Sequence, residues 1–179
     1  MDSLSHQINT RKLNLTTQAE SGFRYKDDLY GILATGNDNY DKLFSPYDYG
    51  LIPHGESTAS YSGWCAELGV SESQLTLESL YVNLEGGLQG PRINEVAPVV
   101  CDNLFNNHYE NLNLTLPFTG GVLLVREPVG MSAFKIWDFS IVLELVFENG
   151  RLLNEFDRSS VVGHLRETIE KSFTRRYFL

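Results

Sequence analysis

The 179-residue chain has few of the features that identify a reaction or a cellular compartment. Its two cysteines, Cys65 and Cys101, are too few for a disulfide scaffold or a four-cysteine zinc site. No apolar run approaches the roughly 20 residues that span a bilayer. The first residues lack the basic and apolar regions of a secretory signal. We therefore expect a cytoplasmic protein that contacts no membrane and holds no metal or other cofactor.

Positive charge is also scarce. The chain has 14 Lys and Arg residues against 23 Asp and Glu, a net charge of −9 that disfavours binding to nucleic-acid phosphates. The surplus of negative charge lies in residues 27–110. This segment contains thirteen carboxylates and two basic residues, so its net charge is −11. These side chains either keep the protein soluble or form one face that attracts a basic protein. Attraction of that kind weakens as salt is added.

The order of apolar and turn-forming residues is typical of an antiparallel β protein. From Phe23 onward, short apolar stretches alternate with clusters of Gly, Asn, Asp, Pro and Ser. Over 64–70, every second residue is apolar, as expected for a strand with one buried face. A second strand is predicted over 75–84, where the apolar positions move from odd to even numbers, and this change predicts a bulge near Glu78 and Ser79. The segment 122–125 is apolar on both faces, which predicts a central strand.

The strongest local signal is Asn149-Gly150 between two apolar runs. This pair favours a two-residue type I′ turn, because both turn positions need a positive φ. The turn predicts that Glu148 faces Arg151 and, further along the same hairpin, that Glu144 faces Glu155.

A helix is predicted over about 159–174. Asp157 or Ser159 can cap its start, and an apolar stripe recurs every four residues at Val161, Leu165, Ile169 and Phe173. The expected fold is α+β and mainly antiparallel β, a sheet or flattened sandwich with one C-terminal amphipathic helix. Residues 1–22 are predicted to form a polar N-terminal arm, and residues 23–179 a single β-rich domain.

One predicted hairpin resembles a group of uncharacterised bacterial and phage proteins. The residues that carry the likeness are Tyr61-Ser62-Gly63-Trp64-Cys65-Ala66-Glu67-Leu68-Gly69-Val70 and Leu75-Thr76-Leu77-Glu78-Ser79-Leu80, and upstream Leu29-Tyr30 and Phe44-Ser45-Pro46-Tyr47. The group shares a Gly-aromatic-x-Ala-x-aromatic β-hairpin, and the similarity covers about 28–84. Ser62 stands where the group has Arg, and Leu68-Gly69 where it has Trp-Glu. The resemblance implies a bacterial protein with that hairpin, and it implies no catalytic residue, since the group has no established activity.

Two arrangements could support an enzyme or a ligand-binding protein. The facing carboxylates of the last hairpin could share a proton or a metal, or be bridged by Arg126 or Lys135, or they could splay apart in solvent. A histidine two residues before a glutamate in an irregular loop could act as a general base. The candidate residues of this alternative are Glu144, Glu155, Arg126, His54 and Glu56.

The function we favour from sequence is a non-enzymatic acidic binding module. An immunity or inhibitor protein that masks a basic partner is its most concrete form. Carboxylates would form the rim of the contact, and two tyrosines would anchor it. The predicted contact residues are Asp38, Asp41, Asp48, Glu56, Glu67, Glu72, Tyr47 and Tyr49. A third possibility is a structural or phage-assembly component that self-associates through an unpaired strand edge.

Overall fold

A computed structural model describes residues 21–36, 43–55, 61–101, 104–129 and 135–177. Most of the predicted N-terminal arm and three predicted contact residues, Asp38, Asp41 and Glu56, lie outside this part of the chain. The described strands are β1 Gly22–Tyr25, β2 Asp28–Gly36, β3 Trp64–Ser71, β4 Gln74–Val82, β5 Val99–Val100, β6 Asn107–Tyr109, β7 Leu114–Thr115, β8 Gly120–Pro128, β9 Phe139–Glu148 and β10 Arg151–Asp157. The helix α1 spans Ser159–Tyr177, and short 3₁₀ helices span Pro46–Tyr49, Glu85–Gly87 and Ile136–Asp138.

Seven of the strands close into a barrel in the order β10-β9-β8-β2-β1-β3-β4, and β4 then meets β10. Strands β1 and β3 run parallel, whereas the other neighbours in the ring are antiparallel. The prediction of a mainly antiparallel fold with one C-terminal helix is confirmed. The prediction of a sheet or flattened sandwich was wrong. The barrel closes through the pairing of β4 with β10, which lies far away in the sequence, and no local sequence pattern predicts such a pairing.

The closing contact between β4 and β10 is narrow. Arg151 faces Gln74, and this is the one residue pair of the β4–β10 ladder in the described chain. The amide of Leu75 donates to the carbonyl of Gly150 over 2.7 Å, and the amide of Leu152 donates to that of Ser73 over 2.8 Å. Further along, β4 pairs with β7 and β6 instead, and β5 lies beyond β6.

A bulge decides which side chains of β4 enter the barrel. Glu67 faces Ser79, but the next residue, Leu68, faces Leu77, so Glu78 is the extra residue. The bulge predicted at this point is therefore confirmed. It keeps the apolar residues on both sides of the phase change inside the barrel, where four are fully buried: Leu75, Leu77, Leu80 and Val82.

Four hairpins of the described chain have two-residue turns with a positive φ at both positions, which is the type I′ geometry. One is Asn149-Gly150, with φ values of 46° and 81°, and its prediction is confirmed. The other three are Lys26-Asp27, Glu72-Ser73 and Asn94-Glu95. They contain no glycine, so the usual sequence signal for this turn is missing from them.

The core has two parts. The larger fills the barrel and includes the fully buried rings of Phe23, Tyr109 and Phe147. The smaller lies outside the barrel wall, where Val162 of α1 packs with Val125 and Val142 of the sheet. The prediction that 122–125 forms a central strand is confirmed, since β8 lies between β9 and β2.

The helix begins where it was predicted, but it presents a different face to the barrel. Asp157 accepts a hydrogen bond from the amide of Ser159 over 2.8 Å, which caps the first turn. The predicted stripe residues Val161 and Leu165 are 64% and 42% exposed, whereas Val162 is buried. The Nε of Arg166 donates to the carbonyl of Trp137 over 2.7 Å, so that hydrogen bonds as well as apolar contact set the helix rotation. The side chain of Phe173 lies outside the described residues.

Buried amide side chains hold the segment that follows β4. Asn107 is fully buried, and its side chain accepts from the amide of Gly90 and donates to the carbonyl of Leu88, both over 2.9 Å. The side chain of Asn106 likewise accepts from the amide of Leu84 and donates to the carbonyl of Leu84. Side-chain amides therefore replace a strand partner for this irregular segment.

We expect Ser73→Gly to stabilise the protein by about 1 kcal/mol, because glycine relieves the cost of a positive φ at the second turn position. Urea unfolding measures the change. Ser79→Gly, in the interior of β4, is the matched control and should destabilise the protein. Equal effects of the two substitutions would contradict the prediction.

We expect Asn107→Leu to lower the free energy of unfolding by about 2 kcal/mol or more, since the amide of Gly90 and the carbonyl of Leu88 lose their partner in a buried site. The same measurement on Asn154→Leu, at an exposed position of β10, should show a much smaller change. A loss as large in the control would show that the buried amide has no special role.

Candidate interaction site at the turn end of the barrel

Three of the type I′ turns lie at the same end of the barrel. Strands β1 and β3 are parallel, with Arg24 beside Gly69, so the turn after β1 comes level with the turn after β3. The hydrogen bond from Leu152 to Ser73 places the β9–β10 turn next to the β3–β4 turn. We call this region the turn end. It comprises the turns Lys26-Asp27, Glu72-Ser73 and Asn149-Gly150, together with the 3₁₀ helix Pro46–Tyr49 that the segment 116–119 connects to them.

The segment 116–119 joins these turns to the 3₁₀ helix Pro46–Tyr49. The amide of Gly150 donates to the carbonyl of Phe118 over 2.7 Å, and the amide of Asn149 donates to Oγ1 of Thr119 over 2.8 Å. Between this segment and the 3₁₀ helix lies a recess of about 370 Å³. It is lined by Leu43, Phe44, Ser45, Asp48, Tyr49, Leu116, Pro117, Phe118 and Thr119.

The local sequence explains the 3₁₀ helix. Pro46 sits at its first position, where a missing N–H has no cost, and Gly50 ends it with φ 74°. Leu51 is 1% exposed and anchors the chain in the barrel core. These constraints leave the side chains of Tyr47, which is 59% exposed, and Asp48 in solvent.

Tyr49 turns inward and forms one wall of the recess. Its ring stacks on that of Phe44, with 5.5 Å between centroids and 25° between planes. Burial raises the pKa of Tyr49, and the neighbouring carboxylate of Asp48 raises it further. The phenol therefore stays protonated at neutral pH and can donate a hydrogen bond.

Four exposed carboxylates at the turn end form no ion pair with any described residue: Asp27, Asp48, Glu72 and Glu148. The nearby ammonium of Lys26 is already bound by Glu155 over 2.6 Å. Arg151 stands in the ladder between Glu148 and Gln74. Arg151 forms no ion pair with a described residue either, so four unpaired acids against this one base leave the turn end with a net negative charge.

A polar cluster ties the first turn to β10. Glu155 accepts hydrogen bonds from Lys26 and, over 2.9 Å, from the hydroxyl of Tyr25. The bond from Lys26, followed by that from Tyr25, holds the pKa of Glu155 below its usual range. Burial, followed by the bond to Glu155, raises the pKa of Tyr25. The cluster joins elements that no strand pairing connects in the described chain.

The predicted pair of Glu144 and Glu155 does not form. The β9–β10 register shifts after Leu152, so Phe156 faces Glu144, and Glu155 faces Leu145. The prediction was wrong because the extra residue at 153 moves every later pair by one position, and no phase change in the sequence marks it.

Two residues of the enzyme alternative, Glu144 and Arg126, have different ionic partners. Glu144 is bound by Arg158 over 2.7 Å, and Arg126 pairs with Asp28 below the ring of Tyr30. His54 is exposed, and its amide donates to the carbonyl of Asn83 over 2.9 Å. Glu56 lies outside the described residues.

Of the predicted acidic contacts, Glu67 lies away from the turn end. It belongs to the outer wall of β3 and accepts a hydrogen bond from Nε of Arg24 over 2.7 Å. Its charge is therefore compensated locally, whereas those of Asp48 and Glu72 are not compensated by any described cation.

The sequence did not predict a cross-strand row on the outer wall. Cys65 faces Tyr81, and Tyr81 faces His108, whose ring stacks on the tyrosine with 3.8 Å between centroids. Burial raises the pKa of Cys65 to about 11, so the thiol is a poor nucleophile at neutral pH. Burial also lowers the pKa of His108, although Glu110 lies 3.1 Å away and acts in the opposite direction. The alternation around Tyr81 and around His108 puts each on an outer face, but nothing in the sequence indicates that they are neighbours.

No family model matches the chain, and no curated protein or solved structure is detectably similar to it. The likeness of 28–84 to the bacterial and phage hairpin group therefore stays a prediction. Within the described residues, no helix has both the length and the apolar character to cross a membrane. In the same residues, no group of three or more His, Cys, Asp or Glu side chains is placed to hold a metal ion.

We expect Glu155→Gln to change the pH dependence of stability. A carboxylate whose pKa is lowered by folding stabilises the protein above its unfolded pKa, and this contribution is lost as pH falls through the folded pKa. Wild type should therefore lose more stability than the variant between about pH 5 and pH 2. Urea unfolding across this range measures it, with Glu148→Gln as the control for an exposed glutamate. Parallel profiles for wild type and Glu155→Gln would contradict the prediction.

Proposed function

We propose that the protein is a non-enzymatic binding module that masks a basic partner protein, in the manner of an immunity or inhibitor protein. The observation that carries the proposal is the set of four exposed carboxylates at the turn end that lack an ion pair with any described residue. The exposed ring of Tyr47 lies beside one of them and offers an anchor of the kind found in protein interfaces.

The chemistry of such a contact follows from the charge. When charges of one sign are concentrated at one end of a small protein, they steer an oppositely charged partner toward that end and raise the association rate. Masking needs no reacting group, because a bound protein excludes substrates or targets by its bulk. The short turns and 3₁₀ helix also project the carboxylates beyond the barrel wall, where a partner can reach them.

The proposal keeps part of the predicted contact set and extends it. Asp48, Glu72, Tyr47 and Tyr49 belong to the turn end, and the proposal adds Asp27 and Glu148. Glu67 is expected to contribute less to binding than the acids of the turn end, since Arg24 compensates its charge. Asp38, Asp41 and Glu56 lie outside the described residues, and they stay in the proposal as predictions.

The separation of the enzyme candidates favours the binding module over that alternative. Catalysis needs titratable groups that converge on one partly dry site. Glu144 and Glu155 are instead held by different cations, Arg158 and Lys26.

We expect the association rate with a basic partner to fall at least about tenfold when salt rises from about 0.05 to about 0.5 M. The partner is first captured from bacterial lysate and identified, and the purified pair is then measured by stopped flow. Reversing three acids of the turn end, in Asp27→Lys/Asp48→Lys/Glu72→Lys, should produce a similar loss at low salt.

The control variant reverses three acids away from the turn end, in Glu127→Lys/Glu167→Lys/Glu170→Lys. It changes the net charge by the same amount, so it separates the position of the charge from its total. Equal rates for both variants, or binding that responds to neither salt nor charge reversal, would overturn the proposal.

A further inference from the structure

Among the described residues that line the recess at the turn end, Asp48 alone has an acidic or basic side chain. Its carboxylate forms no ion pair with a described residue. The volume of about 370 Å³ equals that of roughly a dozen water molecules, so the recess has room for one large side chain.

The walls of the recess carry aromatic and proline rings beside polar groups. Tyr49 and Phe44 form a stacked pair on one side, and the exposed ring of Pro117 and the buried ring of Phe118 form the other. Such walls suit a long aliphatic stem, because a side chain of this kind buries its methylene groups while its charged head reaches a polar partner.

The combination of an aromatic wall with a carboxylate favours one chemical group. A guanidinium is planar and weakly hydrated, so it can stack on the Tyr49 ring while it donates two hydrogen bonds to the Asp48 carboxylate. An ammonium is compact and strongly hydrated, and it gains less from the ring. A neutral or anionic side chain would leave Asp48 uncompensated.

A second depression, of about 450 Å³, has a lining with a different set of charges. It contains Arg24 and Lys26 together with Asp27 and Glu78 in its lining. Both cations are already bound by carboxylates, Arg24 by Glu67 and Lys26 by Glu155. The lining of this depression therefore holds cations as well as carboxylates, whereas the described lining of the recess holds a carboxylate alone.

We infer that the recess binds one arginine side chain of the basic partner, stacked on Tyr49 and paired with Asp48. The inference rests on the proposed function and makes it specific: the turn end attracts the partner by its overall charge, and the recess selects a guanidinium at one position of the contact.

The experiment uses the whole isotope-labelled protein and three blocked tripeptides, Gly-Arg-Gly, Gly-Lys-Gly and Gly-citrulline-Gly. Citrulline has nearly the shape of arginine without its charge. We expect the arginine peptide to shift the amide resonances of 48–50 and 118–119, and to bind about tenfold more tightly than the citrulline peptide. The lysine peptide should bind with intermediate affinity.

Two variants test the two parts of the recess. Asp48→Asn should weaken the arginine peptide about tenfold, and Tyr49→Leu should remove the preference for arginine over lysine. Glu85→Gln, which alters an exposed acid outside the turn end, is the matched control and should change affinity by less than about twofold.

Equal affinities for arginine and citrulline, an equal or stronger affinity for lysine, or shifts confined to other regions would overturn the inference. Its failure is distinguishable from failure of the proposed function. If the triple reversal still slows the partner while Asp48→Asn leaves the arginine peptide unaffected, only the arginine site is wrong. If the partner responds to neither salt nor charge reversal, the proposed function is wrong as well.

Discussion

The barrel is held closed by hydrogen bonds between two hairpin turns and not by a full ladder of strand pairs. The amides of Leu75 and Leu152 cross the seam to the carbonyls of Gly150 and Ser73. Gly150 is needed there for two reasons, since its φ is positive and a Cβ atom would collide with the carbonyl of Leu116. The enclosed core and the grouping of residues at the turn end both depend on this contact, because it brings distant parts of the chain together.

The charges of the protein are divided between two roles. Cations of the first and last parts of the chain mostly serve the fold: Lys26 holds Glu155, Arg158 holds Glu144, and Arg166 binds backbone carbonyls below the helix. The carboxylates of the turn end have no such described partner. Of the thirteen carboxylates in 27–110, three lie at the turn end, Asp27, Asp48 and Glu72, whereas Asp28 and Glu67 are compensated by Arg126 and Arg24.

Local features could be predicted from the sequence, and features that depend on distant pairings could not. The bulge at Glu78 changes the phase of the apolar pattern, and the turn at Asn149 has the preferred residue pair, so both were visible. The register of β10 was missed, because an extra residue in an exposed strand leaves no phase change in its side chains. The helix face was missed because Arg166 fixes the rotation through backbone carbonyls. For the candidate site, Asp48 and the tyrosines were predicted, but their proximity to 116–119 depends on how the barrel closes.

The tight turns have a consequence for the energetics of recognition. A two-residue loop with both φ values positive has little conformational freedom, because each of its ends continues directly into a strand of the barrel. The backbone that presents Asp27 and Glu72 is therefore preorganised, and a partner need not order it before binding. Loss of conformational entropy on association is correspondingly small, so even a modest contact area can give a useful affinity.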